Sequence, residues 1–282
     1  MRIVRTVAEV RAALVDARRR GQRVGFVPTM GALHAGHVSL MRRARADADV
    51  VVVSLFVNPT QFNDASDLAA YPRTESADAA HAASAGADFL FAPSAEEMYP
   101  PDFATTVSVT GVSETLEGAV RGPAHFRGVA TVVAKLLNIV QPDALYLGQK
   151  DAQQVAVLRR MIRDLQIPTV VVVCPTVREA DGLAMSSRNV RLGAVDRARA
   201  LALRHGLDAA LESLARGERG AGPLRDAASA AMARDGISPE YFVAVHPDTL
   251  EPVDPLRGEV LIAVAARVGP VRLIDNELVR LD

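Results

Sequence analysis

RVGFVPTMGALHAGHVSLMRRA, residues 23–44, decides how the rest of the chain is read. The segment up to Thr29 reads as a strand, and a loop marked by Gly31, His34, Gly36 and His37 leads into a helix that begins near His37. Gly31 permits a sharp exit from the strand, and Gly36 lets a ligand approach the backbone. The free amides and dipole of a helix start favour phosphate. His34 and His37, one turn apart at that start, are able to donate hydrogen bonds to the same anion. A lone histidine in such a loop is ordinarily just a polar residue. Two on one face beside two glycines favour ligand binding. The stretch is neither a Walker loop nor a dinucleotide fingerprint. A zinc site would need a third ligand, but His81, His125, His205 and His246 stand in unremarkable contexts and Cys174 lies in an apolar run.

Outward from this stretch the chain alternates strand and helix. Thr6 and Glu9 form a capping-box pattern that opens a helix closed by Gly21. The apolar run DVVVVSLFVNP (49–59), an Ala-rich helical stretch from Glu75 to Ala85, and the strand ADFLFAP (87–93) follow. After a less regular region, VATVVAKLLNIVQ (129–141) has helical spacing, DALYLGQ (143–149) is strand-like, DAQQVAVLRRMIRDLQ (151–166) is helical, and PTVVVVCP (168–175) is an apolar strand. This alternation predicts a parallel sheet, and the Val runs suit strands covered on both faces. From about Gly182 the character changes. Helical stretches over 194–216 and 223–234 precede three strand candidates, EYFVAVH, EVLIAVAARV and VRLIDNELVRL, with turn signals that favour antiparallel pairing. The expected fold class is α/β, with a Rossmann-like parallel sheet in an N-terminal domain, residues 1–180, and a smaller α+β C-terminal domain, residues 181–282.

With 282 residues, 49% hydrophobic and 23% charged, and a net charge of −1, the chain has the composition of a globular protein without the basic excess of a nucleic-acid binder. Small molecules are the expected partners, with no nucleic acid and no membrane. The first twenty-one residues carry charges at regular intervals and resemble neither a signal peptide nor a membrane span. The single cysteine, Cys174, reads as core and fits a reducing compartment, so a cytoplasmic location is expected. Of 32 basic residues only Lys135 and Lys150 are lysine. Wherever a generic positive charge sufficed, the chain carries arginine.

Four polar segments directly follow a predicted parallel strand: PTMGALHAGH, NPTQF, GQKDAQQ and PTVREADGLAMSSRN. Ligands of open α/β sheets bind beyond the carboxyl ends of the strands, so these four are expected to line one crevice. Lys150 at a strand tip suits a phosphate as a compact point charge, and Asp151 is a plausible N-cap or first-turn residue of the next helix. Lys135, in an apolar helix, reads as a snorkelling side chain. Gln154 follows Lys150 by four residues and faces the same way, whereas Gln153 points elsewhere. The amide of Gln61 both donates and accepts, which suits a substrate bearing hydroxyl and carboxylate groups. Ser186, Ser187 and Arg188 sit in a Gly-containing loop at the expected domain junction, able to close over a triphosphate.

Taken together and in this order, MGALHAGH, NPTQF, YPRT, HFRGVATVVAKL, GQKDAQQ and DGLAMSSRN closely resemble the pantothenate synthetase (pantoate–β-alanine ligase) family, from about residue 23 to 191 and again, loosely, in LIDN (273–276). HAGH is similar to the HxGH motif of the wider nucleotidylyltransferase superfamily and class I aminoacyl-tRNA synthetases. MSSRN is similar to that group's mobile KMSKS-type loop without its lysine. The resemblance implies an AMP-forming ligase of pantothenate and coenzyme A biosynthesis: pantoate's carboxylate attacks the α-phosphorus of ATP to give pantoyl adenylate and pyrophosphate, and the amine of β-alanine then displaces AMP. It further implies that Met30, Gly31, Ala32, Leu33, His34, Ala35, Gly36 and His37 bind ATP, with His37 as catalytic hydrogen-bond or proton donor assisted by His34. Gly148, Gln149, Lys150 and Asp151 bind ATP as well, with Lys150 on its phosphates. Val177, Met185, Ser186, Ser187 and Arg188 complete the nucleotide site, Gln61 and Gln154 hold pantoate, and Gln61 also meets β-alanine. Gln149 stands where Glu is common in related sequences. Asn58, Tyr71, Arg73, Val132 and Val133 are further pocket candidates. Mg2+ is expected to accompany ATP, its protein ligands unknown. A homodimer is expected, as is closure of the C-terminal domain as a lid about Asp181 and Gly182.

Two other classes account for part of the pattern. An adenylyltransferase acting on a phosphate-bearing acceptor would explain HAGH and MSSR, but would call for more basic side chains than Gln61 and Gln154 provide. A nonenzymatic module that senses ATP by closure would bind the nucleotide without forming AMP.

Overall fold

The computed structural model describes residues 1–62 and 68–282. The chain divides into two compact units, one of residues 1–148 and 157–174 and the other of residues 149–156 and 175–282.

The first unit is built on a six-stranded sheet of β1 (Arg2–Val4), β2 (Val24–Thr29), β3 (Val50–Leu55), β4 (Phe89–Phe91), β5 (Ala144–Gly148) and β6 (Val170–Cys174), in the order β1-β4-β3-β2-β5-β6. Every pairing is parallel, with Phe26 opposite Val52 and Leu145, and Gly148 opposite Cys174. Strand order reverses between β2 and β5, so the exit of β2 lies at the topological switch point where such sheets bind ligands.

Helix α1 (Val7–Arg19) opens on the expected capping box, in which the Glu9 amide donates to Thr6 Oγ1 at 3.2 Å and the Thr6 amide to Glu9 Oε2 at 3.0 Å. Helix α2 (Ala35–Asp47) packs its buried Leu40, Met41 and Ala44 on one face of the sheet, against Val27, Val51, Val53, Leu90 and Tyr146. Because strand side chains alternate, Phe26, Val52 and Phe91, all buried, face the other side. Helices α3 (Glu75–Ser84), α4 (Ala95–Met98), α5 (Glu117–Arg121) and α6 (Pro123–Val140) follow β3 and β4. Gly128 lets α6 lie against the 59–61 turn, since a Cβ there would stand 2.4 Å from the Thr60 carbonyl oxygen.

Helix α7 (Ala152–Asp164) follows β5, and its first residues belong to the second unit. That unit also holds α8 (Ala194–Arg199), α9 (Ala202–Ala215) and α10 (Ala221–Arg234) and an antiparallel sheet, β7 (Tyr241–Val245), β8 (Gly258–Val268) and β9 (Val271–Leu281), in that order. Leu203 and Leu207 on α9 and Leu224, Ala228 and Met232 on α10 form its core with Ile262 and Val264 of β8. Gly206 permits the close approach of the two helices, because a Cβ there would lie 2.8 Å from Met232 Cγ.

The expected α/β class, parallel sheet and smaller antiparallel sheet are all present. Three local expectations need correction. The Val run of β6 is not covered on both faces: β6 is an edge strand, and Val170 is 63% exposed. The helical stretch 194–216 is two helices, α8 and α9. Strand β1 went unread, because three residues pairing on one side only are too short to show a period. Among the described residues no helix is long and apolar enough to cross a membrane. Cys174 is buried, and burial pushes its thiol up.

Tyr146 lies in the core under α2, with its hydroxyl 3.4 Å from the Asp47 carboxylate. Burial, reinforced by that carboxylate, pushes its phenol up to about 12. An unfolded tyrosine titrates near about 10, so between these values the folded chain keeps a proton that the unfolded chain has lost. Stability should therefore fall as pH rises from about 10 towards about 12. Urea midpoints across this range should decline less steeply for Tyr146→Phe than for the parent chain; identical slopes would remove the assigned perturbation.

Candidate functional site

Chain direction builds the site. Parallel pairing makes β3, β2, β5 and β6 end on the same edge of the sheet, at Leu55, Thr29, Gly148 and Cys174. The four polar segments singled out in the sequence start there.

After β2 the backbone turns through Gly31, with φ +94°, and Ala32, with φ +51°. The second value lies in the left-handed region that a residue with a Cβ occupies only at a cost. Asp78 on α3 holds the turn. It is buried, with Oδ1 accepting from the Leu33 amide at 2.8 Å and Oδ2 from the Ala32 amide at 3.1 Å and from Thr74 Oγ1 at 3.0 Å. Glycine is favoured at position 31 because its φ of +94° is a conformation that residues with a side chain rarely adopt.

The helix that follows starts two residues earlier than expected, at Ala35, because His34 is itself the cap. His34 Nδ1 accepts from the Gly36 amide at 3.1 Å, and His37 Nδ1 accepts from the His34 amide at 3.3 Å. This is a capping box made of imidazoles. The Gly36 amide, expected to be open to a ligand, is engaged by His34. Because each Nδ1 acts as an acceptor, a neutral ring carries its proton on Nε2. The ring centroids lie 4.2 Å apart, so both imidazoles stand at the positive end of α2.

The segment after β3 is equally fixed. Asn58 is buried and caps the 59–61 turn: its Oδ1 accepts from the Thr60 amide at 3.3 Å and from the Tyr99 hydroxyl at 2.9 Å. Its Nδ2 donates to Gln61 Oε1 at 3.0 Å and to the Gly128 carbonyl at 3.2 Å. Gln61 Nε2 then reaches Met30 Sδ at 2.8 Å, and its carbonyl meets His125 Nδ1 at 2.9 Å. The structure thus brings Met30, Asn58 and Gln61 together. Val132 and Val133 are buried on α6, Tyr71 stacks edge-on with Phe62, and Arg73 is exposed.

In the second unit Gln149, Lys150 and Asp151 form a single 3₁₀ turn leading into α7. Lys150 is no solvated charge: its side chain is 17% exposed and its Nζ lies 3.5 Å from Asp151 Oδ1. Gln153 is buried and Gln154 half-buried. Residues 178–184 turn back on themselves through Gly182, with φ +96°, and an Arg178–Ala184 bridge. On the return the Met185 amide donates to the Val177 carbonyl at 3.0 Å, and the Arg188 amide to Ser186 Oγ at 3.2 Å. Arg178 anchors this turn through a bidentate pair with Asp275, 2.6 and 3.1 Å, and a further bond to Glu277 at 2.8 Å. Burial pushes the Asp275 carboxyl up, against the pull of the Arg178 guanidinium.

Sequence reasoning missed Asp78, Tyr99, Asp275 and Asn276. Asp78 left only a faint trace, one carboxylate on the inward face of an Ala-rich helix. Asp275 and Asn276 left a trace in LIDN, two adjacent polar residues in a strand, with nothing local to show that both are buried.

With this geometry in hand, the relatives are informative. A family model described as pantoate-beta-alanine ligase matches residues 2–278. The chain is 57% identical over 274 residues, 97% of its length and 96% of the relative's, to pantothenate synthetase of Chelativorans sp. (strain BNC1). It is 53% identical, over 97% and 98% of the two lengths, to pantothenate synthetase of Cereibacter sphaeroides (strain ATCC 17029 / ATH 2.4.9). Among solved structures it is similar to the pantothenate synthetase of Thermus thermophilus, with a TM-score of 0.93, 49% identity and coverage of 98% and 99%. It is also similar to the pantoate-beta-alanine ligase of Francisella tularensis complexed with beta-gamma ATP and beta-alanine, with a TM-score of 0.79, 36% identity and coverage of 99% and 97%.

Replacing Asp78 by Ala should leave two amides of the strained turn without an acceptor. A loss of about 2–4 kcal/mol is expected, the cost of stranding buried donors once held by a charge. Chemical denaturation of Asp78→Ala checks it, and an unchanged midpoint would show that the turn holds its shape unaided.

Proposed function

We propose a course of reaction for this chain, which belongs to the pantoate-β-alanine ligase family and so is a ligase forming the amide bond between pantoate and β-alanine. A carboxylate oxygen of pantoate attacks the α-phosphorus of ATP, the α–β phosphoanhydride bond breaks, and pyrophosphate leaves. The amine nitrogen of β-alanine then attacks the acyl carbon of pantoyl adenylate, loses a proton, and expels AMP. Pantothenate is released and no covalent enzyme intermediate is involved. The ligands of the Francisella relative support ATP and β-alanine as substrates here.

The imidazole pair at the start of α2 is the observation that carries this course. Phosphoryl chemistry of this kind asks mainly for positioning and for stabilisation of charge growing on phosphate oxygens. His37 donates to those oxygens from Nε2, assisted by His34, and the turn Met30–Leu33 with Ala35 and Gly36 receives the nucleotide. Lys150, with Gly148, Gln149 and Asp151, binds the phosphates, and Val177 with Met185, Ser186, Ser187 and Arg188 completes the ATP contacts. Gln61 holds pantoate and meets β-alanine, and Gln154 holds pantoate. The fixed orientation of the Gln61 amide, bonded at both ends, supports that role.

The described residues contain no group of three or more His, Cys, Asp or Glu arranged to hold a metal. Magnesium accompanying ATP would offset triphosphate charge, with its protein ligands unassigned. The working form is a homodimer in the cytoplasm, both implied by the family; a single-chain mass in sedimentation would remove the first. Residues 181–282 act as a lid that keeps water from the acyl adenylate. The lid predicts that ATP with pantoate protects the segment around Asp181 and Gly182 from proteolysis, and equal cleavage rates with and without them would sink it.

Pantoate alone should support exchange of labelled pyrophosphate into ATP, whereas phosphopantetheine or nicotinate mononucleotide should not. His37→Ala and Lys150→Ala should each lower that exchange by about 10² or more with unchanged circular dichroism, as for loss of one preorganised charge-stabilising donor. Near-normal exchange in either variant would strip that residue of its role.

A further inference from the structure

Asn276 lies on β9, 4% exposed, and its amide is committed to the turn that carries Lys150. Nδ2 donates to the carbonyls of Gln149, at 3.1 Å, and Lys150, at 2.9 Å. Oδ1 accepts from Gln149 Nε2 at 2.9 Å. The two carbonyls belong to the peptide units on either side of the Lys150 Cα, so one buried amide group pins both.

The post is rigid as well as close. Asp275, on one side of Asn276, is held bidentately by Arg178, and Glu277, on the other, bonds to Arg178 and Arg204. The Asn276 amide N–H also donates to Asp275 Oδ1 at 2.8 Å. A lysine ammonium sits on a four-carbon stem with several rotatable bonds, so where it delivers its charge depends on where its Cα is anchored. The turn Gln149–Asp151 runs from the end of β5 into α7, and Asn276 bonds to it from a strand remote in sequence.

We propose that Asn276 is the positioning residue for Lys150: by fixing both flanking peptides it sets the point from which the ammonium meets the phosphates of ATP. This rests on the assignment of Lys150 to ATP made above. Asn276 touches no reacting atom in this scheme and acts only through Lys150.

A double-mutant cycle read by pantoate-dependent pyrophosphate exchange tests it, with melting curves recorded for every variant. Asn276→Ala should lower the exchange rate by about 10- to 100-fold, the scale of a small misplacement of a catalytic group. In a Lys150→Ala background the same substitution should change the rate by less than about threefold, since no ammonium remains to be positioned. Full additivity in the double variant, or near-normal exchange by Asn276→Ala, would overturn the proposal and leave Asn276 a purely structural residue. If Asn276→Ala fails to fold, Asn276→Asp runs the same cycle: it keeps the shape and loses both donors. Normal exchange by Lys150→Ala alone would fell the assignment of Lys150, and this proposal with it. That outcome is separate from normal Lys150 dependence with an indifferent Asn276.

Discussion

Parallel pairing constrains everything else. Strands β3, β2, β5 and β6 run the same way, so their carboxyl ends share an edge, and the polar segments that follow β2 and β3 must start there whatever their sequences. Register adds precision. Gly148 opposite Cys174 fixes how far β5 runs before the turn of Lys150 begins.

Buried polar residues convert this placement into fixed geometry. Asp78, Asn58 and Asn276 are all nearly inaccessible, and each spends hydrogen bonds on the backbone or side chains of a loop. A buried carboxylate or amide is costly unless its bonding capacity is filled, so each specifies one loop conformation more sharply than apolar packing does. The strained Ala32 is tolerable for the same reason: the Asp78 carboxylate accepts from both adjacent amides. Loops held in this way are ordered before any ligand arrives, and it is such preorganisation, more than added contacts, that lowers a barrier.

How much of this was legible in the sequence follows from the range over which each interaction acts. Periodicity and caps are local, and they read true: Thr6 and Glu9 cap α1 as expected, and the three late strands pair antiparallel. The Val run at 170–173 misled because apolar content reports propensity rather than the number of neighbours, and β6 has a neighbour on one side only. The start of α2 was misplaced by two residues because histidine is an uncommon cap, and the imidazole–amide bonds that make it one depend on ring orientation. Within the site, residue types in Gly-marked loops were recognisable. Asp78, 46 residues beyond the Ala32 amide it holds, and Asn276, 126 beyond Lys150, act across sequence separations that only folding closes.

The two lysines gain meaning from the same distinction. In a chain that otherwise carries arginine, Lys135 was read as a snorkelling side chain, but its ammonium lies 4.4 Å from the Phe103 ring centroid and 5.6 Å from that of Tyr99. Burial pushes its ammonium down, while the ring faces favour the charged form. The Tyr99 hydroxyl bonds to Asn58, and Asn58 to Gln61, so Lys135 packs on the ring whose hydroxyl helps orient the Gln61 amide through Asn58. An arginine has a longer, planar head that would stack across such a ring rather than point at it. Each lysine thus stands in partly enclosed surroundings that suit a compact charge, Lys150 beside Asp151 and Lys135 over two aromatic rings.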